Sequence, residues 1–199
     1  MKKMLLFFVF LLGGIFIATP SFSAQIYKVS KEHSTLGFEV THLMISKVTG
    51  SFGDYEDDVS FSADDLAASK FDFKVKAASI NTLNSQRDTH LRSADFFDAE
   101  KYPLIEFHSK KVVAKGAGNY EVTGDLTMKD VTKEVVIPIK VLGPVPNPMG
   151  GGTAIGVEAR FPLNRQDYNV KWNKALDNGG MVVSDMVNVN VDLEAYAKQ

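Results

Sequence analysis

Period-two alternation of apolar and polar residues narrows the fold of this chain more than any other feature. Near the C-terminus, Val187, Val189, Val191 and Leu193 face one way, while Asn188, Asn190, Asp192 and Glu194 face the other. In Leu36-Gly37-Phe38-Glu39-Val40-Thr41-His42 the even positions are apolar until His42. In Phe71-Asp72-Phe73-Lys74-Val75-Lys76-Ala77 and in Val135-Val136-Ile137-Pro138-Ile139-Lys140-Val141 the odd positions carry the stripe. Strands with one dry face and one wet face belong to antiparallel sheets. Many such strands with turn residues between them predict an all-β sandwich or barrel. Lys115-Gly116-Ala117-Gly118-Asn119 and Met128-Lys129-Asp130-Val131 are predicted turns, and Pro144, Pro146, Pro148 and Gly150-Gly151-Gly152 a longer loop.

The N-terminus reads as a targeting segment rather than as fold. Lys2 and Lys3 precede an apolar run from Met4 to Ile17, followed by Pro20 and the small residues Ser21, Ser23 and Ala24. This is the anatomy of a cleaved signal peptide. Cleavage after Ser23 puts small residues at both recognition positions, whereas cleavage after Ala24 puts Phe22 at the outer one. The expectation is a signal peptide over 1–23 (1–24 in the second case) and one exported domain over 24–199. The chain has no cysteine, so the exported domain must be held by its core alone. Thiol chemistry and a lipid-modified cysteine at the cleavage site are both excluded. The net charge of -2 and the lack of a basic run argue against a nucleic-acid partner.

One stretch breaks the strand pattern. Ser85-Gln86-Arg87-Asp88 has the serine-to-acid spacing of a capping box. Asp88 and Arg92 lie four residues apart, suited to pairing on one helix face. A short helix near residues 84–95 is therefore expected, followed by Phe96 and Phe97; a weaker one is expected around Asp65 to Ser69. Catalytic patterns are poorly supported. The chain has no nucleophile elbow and no phosphate-cradling glycine loop before a helix. His33, His42, His90 and His108 lack the close paired spacing of a zinc site, so no metal is expected. His42 reads as a half-buried, hydrogen-bonded histidine at a barrel rim. His90, beside Arg87 and Arg92, reads equally as part of an anion-contacting cluster or as a solvated helix face. An eight-stranded barrel either fills with side chains or holds one small ligand, and Gly37, Ala77, Ala154 and Gly156 are small residues that could leave room.

The run Arg87-Asp88-Thr89-His90-Leu91-Arg92-Ser93-Ala94-Asp95-Phe96-Phe97 resembles the YceI-like family of periplasmic lipid-binding proteins. So do Thr41-His42-Leu43-Met44, Val48-Thr49-Gly50-Ser51-Phe52, Ser79-Ile80-Asn81-Thr82, Tyr102-Pro103, Gly124-Asp125-Leu126-Thr127 and Asn164-Arg165. The family often has glycine at Asp130 and Asn169, where these residues tolerate left-handed turns, and near Glu56–Asp57, where a hairpin of different shape is expected. The resemblance implies a single lipocalin-like antiparallel barrel of about eight strands around a hydrophobic tunnel. It implies a non-enzymatic periplasmic carrier or sequestering protein for a polyisoprenoid or an isoprenoid quinone, with the lipid as ligand and no required cofactor. Two alternatives are an enzyme acting on an amphiphile, with His42 or His90 as general base, and a quinone-handling partner of a membrane redox protein. Tunnel-facing candidates are Phe38, Val40, Phe71, Phe73, Leu91, Phe96, Phe97 and Phe107. Headgroup candidates at the polar mouth are His42, Arg87, His90, Arg92 and Arg165. Transient contact with a membrane, and a monomer or homodimer, complete the expectation.

Overall fold

The computed structural model describes residues 24–148, 150–177 and 179–198. The expected signal segment, 1–23, lies outside them. Eleven strands and one helix follow in order: β1 (Gln25–Val29), β2 (Thr35–His42), β3 (Ser46–Phe52), β4 (Tyr55–Phe61), β5 (Lys70–Lys76), β6 (Ile80–Asn81), α1 (Ser85–Arg92), β7 (Leu104–Gly116), β8 (Asn119–Met128), β9 (Val131–Pro146), β10 (Thr153–Asn164) and β11 (Val183–Ala197). Every strand pairing in the sheet is antiparallel. The ring β1-β4-β5-β7-β8-β9-β10-β11 closes where β1 pairs with β11. This is the expected barrel of eight strands. The count of eleven arises because three staves are broken. A 3-10 turn at Lys31–His33 separates β1 from β2, Gly53–Asp54 separates β3 from β4, and a 3-10 turn at Ala77–Ser79 separates β5 from β6.

Alternation decides which side chains point inward. Phe38, Val189 and Val191 face the interior, and Val187 on β11 pairs opposite Val40 on β2. One end of the barrel is plugged by a cluster that includes Tyr27, Val29, Tyr55, Val59, Phe61 and Ala195. The other end gathers the β2–β3 turn, the β6–β7 connection with α1, the β8–β9 turn and the segment from β10 to β11. Asp130 (φ 58°) and Asn169 (φ 60°) both occupy the left-handed region, as expected for residues standing where glycine is common. The weak second helix is a 3-10 turn, Leu66–Ala68, capped by Asp65.

Three local expectations need correction. Glu56 and Asp57 lie inside β4 in regular register opposite Lys74 and Phe73, so no hairpin falls there. Pro144 and Pro146 belong to β9, and the loop begins at Asn147. Beyond Val141 this strand has outrun β8, so a proline there removes no ladder hydrogen bond on that side. The helix is capped by Asn84, whose side chain accepts from the Arg87 amide at 3.0 Å, rather than by Ser85.

Asp72 ties β5 to β7 on the outer face. Its Oδ1 accepts from the Ser109 amide (2.9 Å) and hydroxyl (3.0 Å), and its Oδ2 lies 3.2 Å from His108 Nδ1. Partial burial pushes this carboxyl up, but hydrogen bonds from His108, Ser109 and Lys70 outweigh that and hold it below the ordinary value. A depressed folded pKa gives a contribution that is complete above the unfolded value, about 4. That contribution is lost as pH falls through the lower folded value. The stability gap between the wild type and Asp72→Asn is therefore expected to persist from neutral pH down to about pH 5 and to close on further acidification. Urea unfolding across pH reads this directly; a gap unchanged at the acid end would mean that the charge of Asp72 is not what stabilises.

Candidate functional site

Inward-facing strand residues and the lid enclose a cavity of about 260 Å³. Its walls come from β2, β3, β5, β6, β7, β8, β9, β10 and β11, and its cover from Leu91, Phe96, Phe97 and Val170. All eight tunnel-facing candidates, Phe38, Val40, Phe71, Phe73, Leu91, Phe96, Phe97 and Phe107, line it. Among the four small residues expected to leave room, Gly37 is in the lining. Ala77, Ala154 and Gly156 are not among the lining residues, because they face other surfaces or pack in the walls.

Two other glycines do more to shape the space. Gly50 on β3 sits opposite Phe38, and a Cβ there would lie 2.4 Å from Phe38 Cζ. Gly124 on β8 sits beside Phe107, and a Cβ there would lie 2.6 Å from Phe107 Cζ. Each ring therefore lies against bare backbone instead of standing in the cavity. Glycine inside a strand commonly marks such a close approach. Phe52 is a further wall residue beyond the sequence-level candidates. It contacts Phe38 (centroids 5.9 Å) and meets Phe97 of the lid edge-on (5.7 Å, 89°).

The lid is held by a small buried polar network. Asp88 and Thr82 are both buried. The amide and hydroxyl of Thr82 donate to Asp88 Oδ1 at 2.9 and 2.5 Å. Arg87 donates through Nε to the Thr82 hydroxyl (2.7 Å) and through Nη2 to its carbonyl (2.8 Å). Arg92 donates to the carbonyls of Ala78 and Ile80, both at 2.7 Å. Asp88 thus faces Thr82 instead of pairing with Arg92 as the helical spacing suggested, since a buried carboxylate needs donors that are themselves buried. The two arginines brace α1 against residues 78–82.

His90 points the other way along the lid. Its Nε2 lies 2.8 Å from Asp95 Oδ2, and its ring meets Phe96 and Trp172 edge-on at 5.0 and 5.1 Å. Trp172, the single tryptophan of the chain, backs Phe96 at 5.2 Å. His42 ends β2 at the same rim, partly buried and paired with Val183. Its ring has no hydrogen-bond partner among the described residues, so the expected rim hydrogen bond is absent there.

Arg165 is the one charged residue among those described in the lining. It is 5% exposed. Its Nε donates to Ser184 O (2.9 Å), Nη1 to Val170 O (2.6 Å) and Trp172 O (2.9 Å), and Nη2 to Val183 O and Asp185 Oδ1 (both 3.3 Å). All five guanidinium donors are spent on the protein, which leaves none for a headgroup. Burial pulls its pKa down, and Asp185 opposes that shift. Arg165 pins the segment after β10 to the start of β11. The five mouth candidates thus share one end of the barrel but play separate parts: Arg87 and Arg92 brace the lid, Arg165 pins the rim, and His42 and His90 stand at the edge.

A model of the YceI-like domain matches residues 27–195. The chain belongs to the YceI-like family. UPF0312 protein SA2479 of Staphylococcus aureus is 37% identical over 166 residues, covering 83% of this chain and 92% of that protein. The crystal structure of the Campylobacter jejuni YCEI protein superposes with a TM-score of 0.68 at 32% identity, over 87% of this chain and 98% of that one. A polyisoprenoid binding domain from Saccharophagus degradans implicated in plant cell wall breakdown superposes with a TM-score of 0.64 at 16% identity, over 87% and 99%. That last likeness is one of fold. The lidded barrel described above is the YceI-like architecture.

Proposed function

We propose that this YceI-like protein is a periplasmic binding protein that carries or sequesters one long-chain amphiphile, an isoprenoid lipid or an isoprenoid quinone. The observation that carries the reading is the lidded cavity, whose lining is apolar except for a guanidinium already fully bonded to protein. A prenyl tail gains about 25 cal/mol for each Å² of apolar surface removed from water and asks for no hydrogen bonds in return. The Saccharophagus domain, which shares the fold, is itself a polyisoprenoid binder, and this supports the ligand class. His42 and His90, at the barrel rim, are the remaining candidates to meet a headgroup. A catalytic reading needs a histidine beside a nucleophile or water within reach of the ligand. Neither His42 nor His90 is among the residues lining the cavity.

Trp172 provides the test. It packs on Phe96, which lines the cavity, so ligand entry should change its fluorescence. Delipidated protein titrated with a prenyl lipid is expected to give a saturable change at one ligand per chain. No saturable change with any prenyl alcohol, prenyl phosphate or quinone would remove the reading.

A further inference from the structure

The β2–β3 turn is built against two local preferences at once. Leu43 and Met44 both have positive φ, at 51° and 64°, and Ile45 N donates to His42 O at 3.2 Å. Left-handed φ at both central residues is the signature of a turn that prefers Asn-Gly, and bulky side chains are strained there. The same residues face water: Leu43 is 37% exposed, Met44 65% and Ile45 85%. A turn selected for stability would carry neither feature.

The neighbouring backbone extends this patch. Leu43 N donates to Val182 O at 2.8 Å, and Val182 N donates to Lys174 O at 2.9 Å, so three segments lie side by side. Met181, next to Val182, is 44% exposed. Lys171 and Lys174 are exposed on the outer segment, and neither makes an ion pair among the described residues. An apolar tip with free lysines beside it matches a bilayer surface that carries anionic lipid. The tip also stands at the lidded end: Val183, which lines the cavity, pairs with His42 immediately before the turn.

We propose that Leu43, Met44, Ile45 and Met181, flanked by Lys171 and Lys174, form a tip that docks the lidded end of the barrel onto an anionic lipid bilayer. The choice of a bilayer as occupant rests on the lipid-cargo reading above. Docked this way, the lid faces the phase in which a prenyl lipid is dissolved.

Co-sedimentation of the purified protein with phosphatidylethanolamine vesicles, with and without phosphatidylglycerol, tests this. The wild type is expected to partition onto the vesicles, more strongly with phosphatidylglycerol. Met44→Asp with Ile45→Asp should lower partitioning about tenfold or more. Lys171→Glu and Lys174→Glu should each lower it about fivefold, on the anionic vesicles alone. Leu43→Asn with Met44→Gly should raise the melting temperature while weakening vesicle binding, which separates docking from folding. Vesicle binding unchanged in the tip variants would overturn the proposal. So would a solution dimer that the tip variants convert to monomer, since the tip would then be covered by a second copy. Prenyl-lipid uptake from detergent micelles, read by Trp172, should persist in the variants. Wild-type protein that binds vesicles through the tip yet takes up no prenyl lipid would leave the docking standing and remove the cargo reading.

Discussion

Arg165→Met is expected to cost the fold about 2–4 kcal/mol, measured by urea unfolding followed through Trp172 fluorescence and circular dichroism. The substitution keeps bulk and removes the five donors. It leaves the carbonyls of Val170, Trp172 and Ser184 without their guanidinium donor, whereas Val183 O keeps Asn173 Nδ2 at 2.7 Å. An orphaned buried acceptor costs about 1–3 kcal/mol, and the Val170 carbonyl is buried while the others retain some access to water. Against a total stability of about 5–15 kcal/mol for a single domain, the variant should be marginal. Arg165→Lys keeps the charge but cannot span acceptors on two segments, so it should recover little. A loss below about 1 kcal/mol would show that the rim segment holds itself in place.

Gly50→Val is expected to close the tunnel from its wall. Its Cβ would lie 2.4 Å from Phe38 Cζ and 2.8 Å from Thr82 Cγ2. Thr82 is fixed by Asp88 and Arg87, so the ring of Phe38 is the group that must move, and the open space is the cavity. Overpacking of this kind costs about 1–3 kcal/mol. Prenyl-lipid affinity should fall about tenfold or more, because the displaced ring occupies area the tail would otherwise bury. The double variant Gly50→Val with Phe38→Leu should recover most of the binding, a coupling that a double-mutant cycle isolates. Binding retained in Gly50→Val alone would mean that the ligand does not use the space beside Phe38.

Much of this was readable in the chain, and the reasons differ by element. The stripes Leu36-Phe38-Val40, Phe71-Phe73-Val75 and Val187-Val189-Val191-Leu193 gave the inward faces directly, because strand geometry fixes which side a residue takes. The lid was legible as a helix but not in its wiring. Spacing relates Asp88 to Arg92 within a helix; it carries no information about Thr82 or the Ile80 carbonyl, which the fold brings alongside. For the same reason Arg165 read as a headgroup contact, when its partners lie on two segments that meet only once the barrel closes. Gly50 and Gly124 carry no local mark of their role, which depends on aromatic neighbours from the adjoining strands. Trp172 carried a visible cue, being the single tryptophan, yet nothing local tied it to Phe96.

One long isoprenoid chain is the proposed cargo of the barrel. Native mass spectrometry of protein purified from a bacterial periplasm tests it most directly. A single non-covalent adduct with the mass of a prenyl lipid or quinone is expected, released when the protein is unfolded. A barrel that is persistently empty, and that takes up no prenyl lipid when offered one, would contradict it.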